Sequence, residues 1–130
     1  MVQVDIAQLS GECNTWRENL RSFREEFIQD ENKLRQVAGQ TLSREQLQDV
    51  EHLHNQFHIQ LINIHDLKQS IKNHDRKMNF EKAAFDGNVN EDSIEQHEDL
   101  LDAYQSLEQT LTDLRSEFSE FLRRTGNQSV

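Results

Sequence analysis

The sequence contains no proline and a single cysteine among its 130 residues. Proline interrupts helices, so its absence permits helices of unusual length. One cysteine excludes an intramolecular disulfide and a Cys-x-x-Cys metal or redox pair. Hydrophobic residues make up 34% of the chain, which is below the share of a typical globular domain. Because a long, thin helical bundle needs fewer core residues than a sphere does, this composition favours such a bundle.

The sequence also lacks long apolar runs and an excess of basic residues. No apolar stretch approaches the ~20 residues of a membrane-spanning helix, and residues 1–6 have neither the basic start nor the apolar core of a secretory signal. We therefore expect a cytoplasmic protein. The chain has 14 Lys and Arg against 24 Asp and Glu, a formal net charge of −10. This charge repels phosphate backbones and anionic lipids, so we expect neither nucleic acid nor a membrane as a partner.

An apolar heptad pattern dominates the first quarter of the chain. Its members are separated alternately by four and three residues, a spacing that places them on one face of a helix. Asp30 is the only member that is not apolar, and Cys13 is expected to be a small buried core residue rather than a reactive thiol. The members are Val2, Ile6, Leu9, Cys13, Trp16, Leu20, Phe23, Phe27, Asp30, Leu34 and Val37.

Two further heptad patterns follow the first. The second consists of Leu47, Val50, His54, Phe57, Leu61, Ile64, Lys68, Ile71, Asp75, Met78, Lys82 and Phe85. The third consists of Leu100, Tyr104, Leu107, Leu111, Leu114, Phe118 and Phe121. Together the patterns predict an all-α fold, an elongated antiparallel up-down-up three-helix bundle that resembles a spectrin-type repeat in shape. We predict one bundle over residues 1–130, with helices at about 3–38, 43–86 and 91–124 and a frayed tail at 125–130.

Local signals mark one helix start and leave two questions open. Ser43 and Gln46 form a capping-box pair at the start of the second helix. Gly11 lies inside the first pattern, so the first helix either bends there or begins at Thr15. The polar residues 73–76 indicate either a break or a loosely packed stretch in the second helix.

The patterns also predict the core and one polar layer within it. A turn centred on Gly39–Gln40 places Asp30 within one helical turn of His54, so these two side chains are expected to pair inside the bundle. The same register places His65 level with Trp16, and we expect Trp16 to cover the His65 ring. The most buried residues should include Phe23, Phe27, Phe57, Leu61, Leu107, Leu111 and Leu114.

Five of the six histidines lie in the second predicted helix. Glu51 and His54 have the spacing used in di-iron bundles, and His58 follows His54 by one helical turn. The helical rise places His97, the sixth histidine, near Phe80 and about 40 Å from His54, too far to complete that site. We therefore expect structural or surface histidines, with no bound metal or other cofactor, and keep Glu51, His54 and His58 as the alternative metal ligands.

The segment His65-Asp66-Leu67-Lys68-Gln69-Ser70 resembles the His-x-Leu-Lys-Gly-Ser segment of histidine phosphotransfer domains, which are acidic helical bundles of similar length. The resemblance implies that His65 would carry a phosphoryl group and that Lys68 would help to hold it. Gln69 departs from the family pattern, in which a glycine keeps the surface open for the partner domain. The family also has more numerous and shorter helices. A histidine phosphotransfer protein is the first alternative function, and a metal-binding bundle is the second.

The main functional expectation is non-enzymatic. The sequence contains no glycine-rich phosphate loop and no Ser-His-Asp spacing. Its carboxylates mostly lie opposite the apolar patterns, as on a solvated helix face. The sequence therefore favours a helical-bundle interaction or scaffold protein, which binds a protein partner or self-associates through apolar residues outside the core, such as Ile59 and Ile62.

Overall fold

The computed structural model describes residues 2–126, which form three long helices and a short two-stranded ribbon. The elements are β1 (Val2–Gln3), α1 (Ile6–Ala38), α2 (Arg44–Ala84), β2 (Asn88–Val89) and α3 (Glu91–Thr125). The helices pack side by side and run up, down and up, so the expected three-helix bundle is confirmed. None of the described helices has both the length and the apolar character of a membrane span. Residues 127–130 of the predicted tail lie outside the described residues.

Side-chain caps determine where α1 and α2 begin. The capping box of α2 is confirmed, because the Ser43 hydroxyl accepts from the Gln46 amide at 3.1 Å and the Gln46 side chain accepts from the Ser43 amide at 2.9 Å. α1 begins at Ile6, later than predicted. Asp5 caps it by accepting a hydrogen bond from the backbone N–H of Gln8, and the chain before this cap pairs as β1 with β2.

The two interruptions considered from the sequence do not divide the helices. α1 continues through Gly11, and the Thr15 hydroxyl donates to the Gly11 carbonyl within the helix instead of capping a later start. α2 continues through residues 73–76. The polarity of this stretch has another cause, since His74 is buried there against α3.

Aromatic rings from all three helices fill the centre of the bundle. Phe57 of α2 meets Phe27 of α1 and Phe118 of α3 edge to face, with ring centroids 5.3 and 5.2 Å apart. The expected core residues all belong to this region or pack against it. Phe27, Phe57, Leu111 and Leu114 are buried, and Phe23, Leu61 and Leu107 are partly buried.

The buried face of α2 differs from the predicted face in every second position. Both faces share Phe57, Ile64, Ile71 and Met78. Between these positions the structure buries Leu53, Gln60, His74 and Glu81 instead of the predicted His54, Leu61, Asp75 and Lys82. Both choices satisfy a heptad repeat. The observed one is favoured because it gives His74 and Glu81 hydrogen-bond partners on α3.

Asp30 is buried as predicted for a core position, but its partner is Arg115 of α3 and not His54, which is exposed. Arg115 Nε donates to one carboxylate oxygen of Asp30 at 2.8 Å, and Nη2 donates to the other at 3.2 Å. Nη1 donates to Glu26 at 2.8 Å. The hydrogen bonds to Asp30 raise the pKa of the Arg115 guanidinium, which keeps it charged. Because Asp30 is on α1 and Arg115 is on α3, this ion pair joins the two helices.

The register between α1 and α2 also differs from the prediction, by about one helical turn. The predicted turn at Gly39–Gln40 places Ser10 level with Ile71. Ser10 instead donates to Asp75 at 2.6 Å. The reason is that the chain does not re-enter a helix until after its cap at Ser43, so the connection reverses direction later than assumed.

Replacing Phe57 with alanine should lower the free energy of unfolding by about 3–5 kcal/mol, because it leaves a cavity between Phe27 and Phe118. The measurement is urea denaturation followed by circular dichroism. Phe80→Ala is the matched control. Phe80 is 70% exposed, so its truncation should change stability by less than about 0.5 kcal/mol. Equal losses from the two variants would contradict this assignment of the core.

Removing one partner of the Asp30–Arg115 pair should destabilise the bundle more than removing both. Asp30→Leu leaves the guanidinium without its carboxylate and should cost about 1–3 kcal/mol. The loss is moderated because the Arg115 side chain is 40% exposed and partly hydrated. Asp30→Leu combined with Arg115→Met should cost less than Asp30→Leu alone. Urea unfolding of both single variants and the double variant tests this, and additive losses would contradict it.

Candidate metal centre

Three side chains of metal-binding types, one from each helix, meet near the ribbon end of the bundle. Cys13 comes from α1, His74 from α2 and His97 from α3. Their exposed fractions are 0%, 1% and 5%. One ligand atom from each lies within 4.8 Å of the other two. Among residues 2–126, this is the one group of three His, Cys, Asp or Glu side chains whose ligand atoms come that close together. We refer to these three residues as the Cys/His/His cluster.

Each member of the cluster occupies a core position of its helix. Cys13 lies in the apolar pattern of α1, as predicted. His97 precedes Leu100 by three residues, so it extends the pattern of α3 by one step toward the helix N-terminus. His74 lies one helical turn before Met78 on the observed buried face of α2. Heptad packing therefore brings the three side chains into the same part of the core.

His97 lies at the centre of the cluster, with contacts at both ring nitrogens. Its Nδ1 is 3.0 Å from Nε2 of His74 and 4.0 Å from Sγ of Cys13. Its Nε2 is 3.5 Å from a carboxylate oxygen of Glu12. The Trp16 ring packs against the His97 ring, with centroids 4.9 Å apart. These contacts hold the imidazole with Nδ1 directed at the other two members.

Two buried nitrogens in the cluster have unused hydrogen-bonding capacity. His74 Nδ1 and His97 Nε2 make no hydrogen bond of normal geometry to the described part of the chain. Gln96 contacts His74 and favours its charged form, and a carboxylate oxygen of Glu12 lies 3.5 Å from His97 Nε2, so polar side chains approach both residues from outside the cluster. The other two nitrogens, His74 Nε2 and His97 Nδ1, face each other and Cys13, and they are the atoms available to an ion between the three side chains.

The protonation states at the cluster follow from burial. Desolvation lowers the pKa of His74, so its imidazole is neutral at pH 7, which is the form that binds metals. Burial, with further contributions from the carboxylates of Asp75 and Glu12, raises the pKa of the Cys13 thiol to about 12. The thiol is protonated without an ion, and a metal would have to displace that proton.

The separations within the cluster suit a tetrahedral ion. Zinc binds imidazole nitrogen at about 2.0–2.1 Å and thiolate sulfur at about 2.3 Å, which places neighbouring ligand atoms roughly 3.3–3.6 Å apart. The nitrogens of His74 and His97 are 3.0 Å apart, and the sulfur of Cys13 is 4.0 Å from His97. Small side-chain movements bring both distances into the tetrahedral range. Three protein ligands leave one coordination position for a fourth.

The alternative metal ligands considered from the sequence lie elsewhere. Glu51, His54 and His58 are exposed on α2, and within the described residues they form no group of three converging ligand atoms. The prediction that His97 lies near Phe80 is wrong, because His97 packs against His74. The prediction assumed a symmetric turn between α2 and α3, whereas α3 is displaced along α2 by more than one helical turn relative to that arrangement.

The residues of the phosphotransfer alternative lie outside the core of α2. His65 is exposed and Lys68 is partly buried. The expectation that Trp16 covers His65 is wrong, because the Trp16 ring packs against His97 and Tyr104, with centroid distances of 4.9 and 5.9 Å. A phosphoryl-acceptor role for His65 stays an untested alternative.

The sequence carries part of the signal for the cluster. Cys13 lies in the first heptad pattern, and continuing the spacing of the third pattern back from Leu100 reaches His97. His74 was missed because the predicted face of α2 included Asp75 in its place.

Comparison of the chain with protein-family models, curated proteins and solved structures finds no match in any of the three.

Proposed function

We propose that this protein is a metal-binding helical bundle that holds a zinc-class ion between Cys13, His74 and His97. One observation carries the proposal: three buried side chains of metal-binding types bring their ligand atoms within 4.8 Å of one another. Buried histidine nitrogens normally have hydrogen-bond partners. Here His74 Nε2 and His97 Nδ1 face each other at 3.0 Å, with the Cys13 sulfur 4.0 Å from His97 Nδ1, and an ion bound between the three side chains would replace these contacts.

The ligand types favour a particular class of ion. Thiolate and imidazole bind Zn²⁺, Co²⁺ and Cu⁺ well, whereas Mg²⁺ and Ca²⁺ prefer oxygen ligands. Burial of all three side chains leaves little room for a substrate beside the ion. The proposed role is therefore metal binding that supports or reports on the fold, rather than catalysis.

The surroundings of the cluster support a cation. The carboxylates of Glu12 and Asp75 contribute to the raised pKa of Cys13, so the site carries a negative potential that favours positive charge. Glu12 also lies on the far side of His97, 3.5 Å from Nε2. A carboxylate next to the non-binding nitrogen of a histidine ligand is a common arrangement in metal sites, where it orients the ring and raises its basicity.

Cobalt(II) should bind wild-type protein at one ion per chain and give the near-ultraviolet charge-transfer band of a cobalt–thiolate bond. Cys13→Ser should remove this band, and His97→Gln should weaken binding by about tenfold or more, because each removes a ligand. His65→Gln is the matched control, since it makes the same change to an exposed histidine, and should bind like wild type. Absorbance titration measures both the band and the stoichiometry.

Zinc should also stabilise the wild-type fold. At a free concentration of about 100 times the Kd, zinc binding adds about 2.7 kcal/mol to the free energy of unfolding, so thermal unfolding should shift upward by several degrees in wild type but not in Cys13→Ser. Circular dichroism first establishes that each variant keeps its helices. Folded wild-type protein that fails to bind either ion, or binding that survives both Cys13→Ser and His97→Gln, would contradict the proposal.

A second candidate function is the protein–protein interaction expected from the sequence, and it has a separate observation in its favour. Ile59, Ile62 and Phe80 on α2 are 45%, 48% and 70% exposed. Ile62 and Phe80 are five helical turns apart, so they lie on the same side of α2. Large apolar side chains on the outside of an acidic bundle support binding of a protein partner or of a second copy.

Self-association through this side of α2 is tested by sedimentation velocity over a range of concentrations. We expect wild type to associate at high micromolar concentration. The triple variant Ile59→Ser, Ile62→Ser, Phe80→Ser should remain monomeric, because it lacks the apolar area that association removes from water. Ile28→Ser, at an exposed position of α1, is the control and should behave like wild type. A monomeric wild type would exclude a second copy as the partner.

A further inference from the structure

The beginning of the chain, residues 2–12, is held by few contacts, and we call it the N-terminal segment. Among the side chains described in it, Ile6 is the one that is buried. β1 pairs with β2 over two residues, and a ribbon of this length is marginal by itself. Two long-range polar contacts hold its end, the hydrogen bond from Ser10 to Asp75 at 2.6 Å and the contact of Glu12 with His97 at 3.5 Å. Ile6 belongs to the core, and Val4 and Leu9 pack against its edge. Local opening of this segment therefore breaks the edge of the core and leaves the aromatic centre intact.

Gly11 weakens α1 at the end of this segment. Glycine in a helix interior is less stable than alanine because it loses more backbone freedom on folding. Packing does not require glycine here, since a Cβ atom at this position would meet nothing within 4 Å. The helix is thus weak at the point where the N-terminal segment joins the Cys/His/His cluster, two residues before Cys13.

The core beneath the segment is also unusually polar. The buried carboxylate of Glu81 accepts from the Ser93 hydroxyl at 2.8 Å and from the backbone N–H of Asn90 at 2.9 Å. His74 and His97 are buried nearby. Because burial of polar groups contributes less than burial of apolar ones, this end of the bundle depends more on specific contacts than the phenylalanine-filled centre does.

We propose that metal binding at the Cys/His/His cluster controls whether the N-terminal segment docks on α2 and α3. This inference rests on the metal site proposed above. The ion contacts all three helices only when Cys13 lies against His74 and His97. Cys13 directly follows the segment, and Glu12 at the end of the segment contacts His97. Opening that reaches Glu12 therefore displaces Cys13, so the ion binds the docked form more tightly than the open one. Because the ion prefers the docked form, the fraction of molecules with an open segment falls as more of the metal site is occupied.

The link between the ion and the segment is short. A metal–sulfur bond at Cys13 fixes α1 immediately beyond Gly11, and Glu12 between them faces His97. Without the ion, the segment opens more often, and opening uncovers Ile6, which belongs to the same core cluster as Met78 and Val89. The protein would then present apolar surface in a metal-dependent way.

Hydrogen–deuterium exchange of the full-length chain, with saturating zinc and with a chelator, tests the inference. We expect zinc to slow exchange of the amides in residues 5–12 by about tenfold or more. Amides in the second half of α1, residues 24–36, should change much less, because they are held by the aromatic core. Cobalt binding is measured on the same preparation.

Two substitutions in the segment change its stability in opposite directions without altering a ligand. Gly11→Ala should slow exchange of residues 5–12 in the chelated protein by about fivefold, and so reduce the effect of zinc. Ala7→Gly, at an exposed helical position, should accelerate it and enlarge the effect. Ala103→Gly, exposed on α3, is the control and should leave this segment unchanged.

The outcomes separate the inference from the metal site. Zinc-dependent slowing confined to the segment, with the two opposite responses, supports the inference. If cobalt binds normally but zinc slows both halves of α1 equally or neither of them, the metal site stands and the inference is overturned. If cobalt does not bind the folded protein, both are overturned.

Discussion

The pairing of His74 with His97 decides how α2 is rotated in the bundle. Two faces of α2, one residue apart, both carry Phe57, Ile64, Ile71 and Met78, so apolar packing alone does not choose between them. The observed face places His74 3.0 Å from His97, and it also gives the buried Glu81 its hydrogen bonds from α3. Burying either polar side chain without such a partner would be costly. The position of every other α2 side chain follows from this choice, including the exposure of His54 and His65.

The bundle divides into an apolar centre and a polar end. At the centre, the rings of Phe27, Phe57 and Phe118 interlock across the three helices, and such packing supplies stability without strong demands on partner identity. The ribbon end buries histidine, glutamate and serine, and these groups require particular partners at particular distances. Specific polar contacts set registry and leave room for ligand chemistry. The proposed metal site lies where the structure gives up apolar burial for such contacts.

Much of the fold is predictable from spacing, whereas the candidate site is only partly so. The heptad of α1 predicts its buried face up to Val37, and the Ser43–Gln46 box predicts the start of α2. These features are local, so the residues that cause them are neighbours in the sequence. The pairing of Asp30 with Arg115 depends on how α1 lies against α3, which are far apart in the chain. Sequence spacing misplaces such long-range registers, by about one helical turn between α1 and α2 and by more than one between α2 and α3.

The packing of the Trp16 ring against His97 has a practical consequence. Trp16 is the only tryptophan of the chain, and its ring lies 4.9 Å from the central imidazole of the cluster. The indole emission of the whole protein therefore originates beside that imidazole. Open-shell ions such as Co²⁺ quench a fluorophore at this distance, whereas closed-shell Zn²⁺ alters it only through the polarity and charge around the ring. An ion bound at the proposed site would thus be reported by the protein's own tryptophan, and Co²⁺ and Zn²⁺ would be distinguished without any added label.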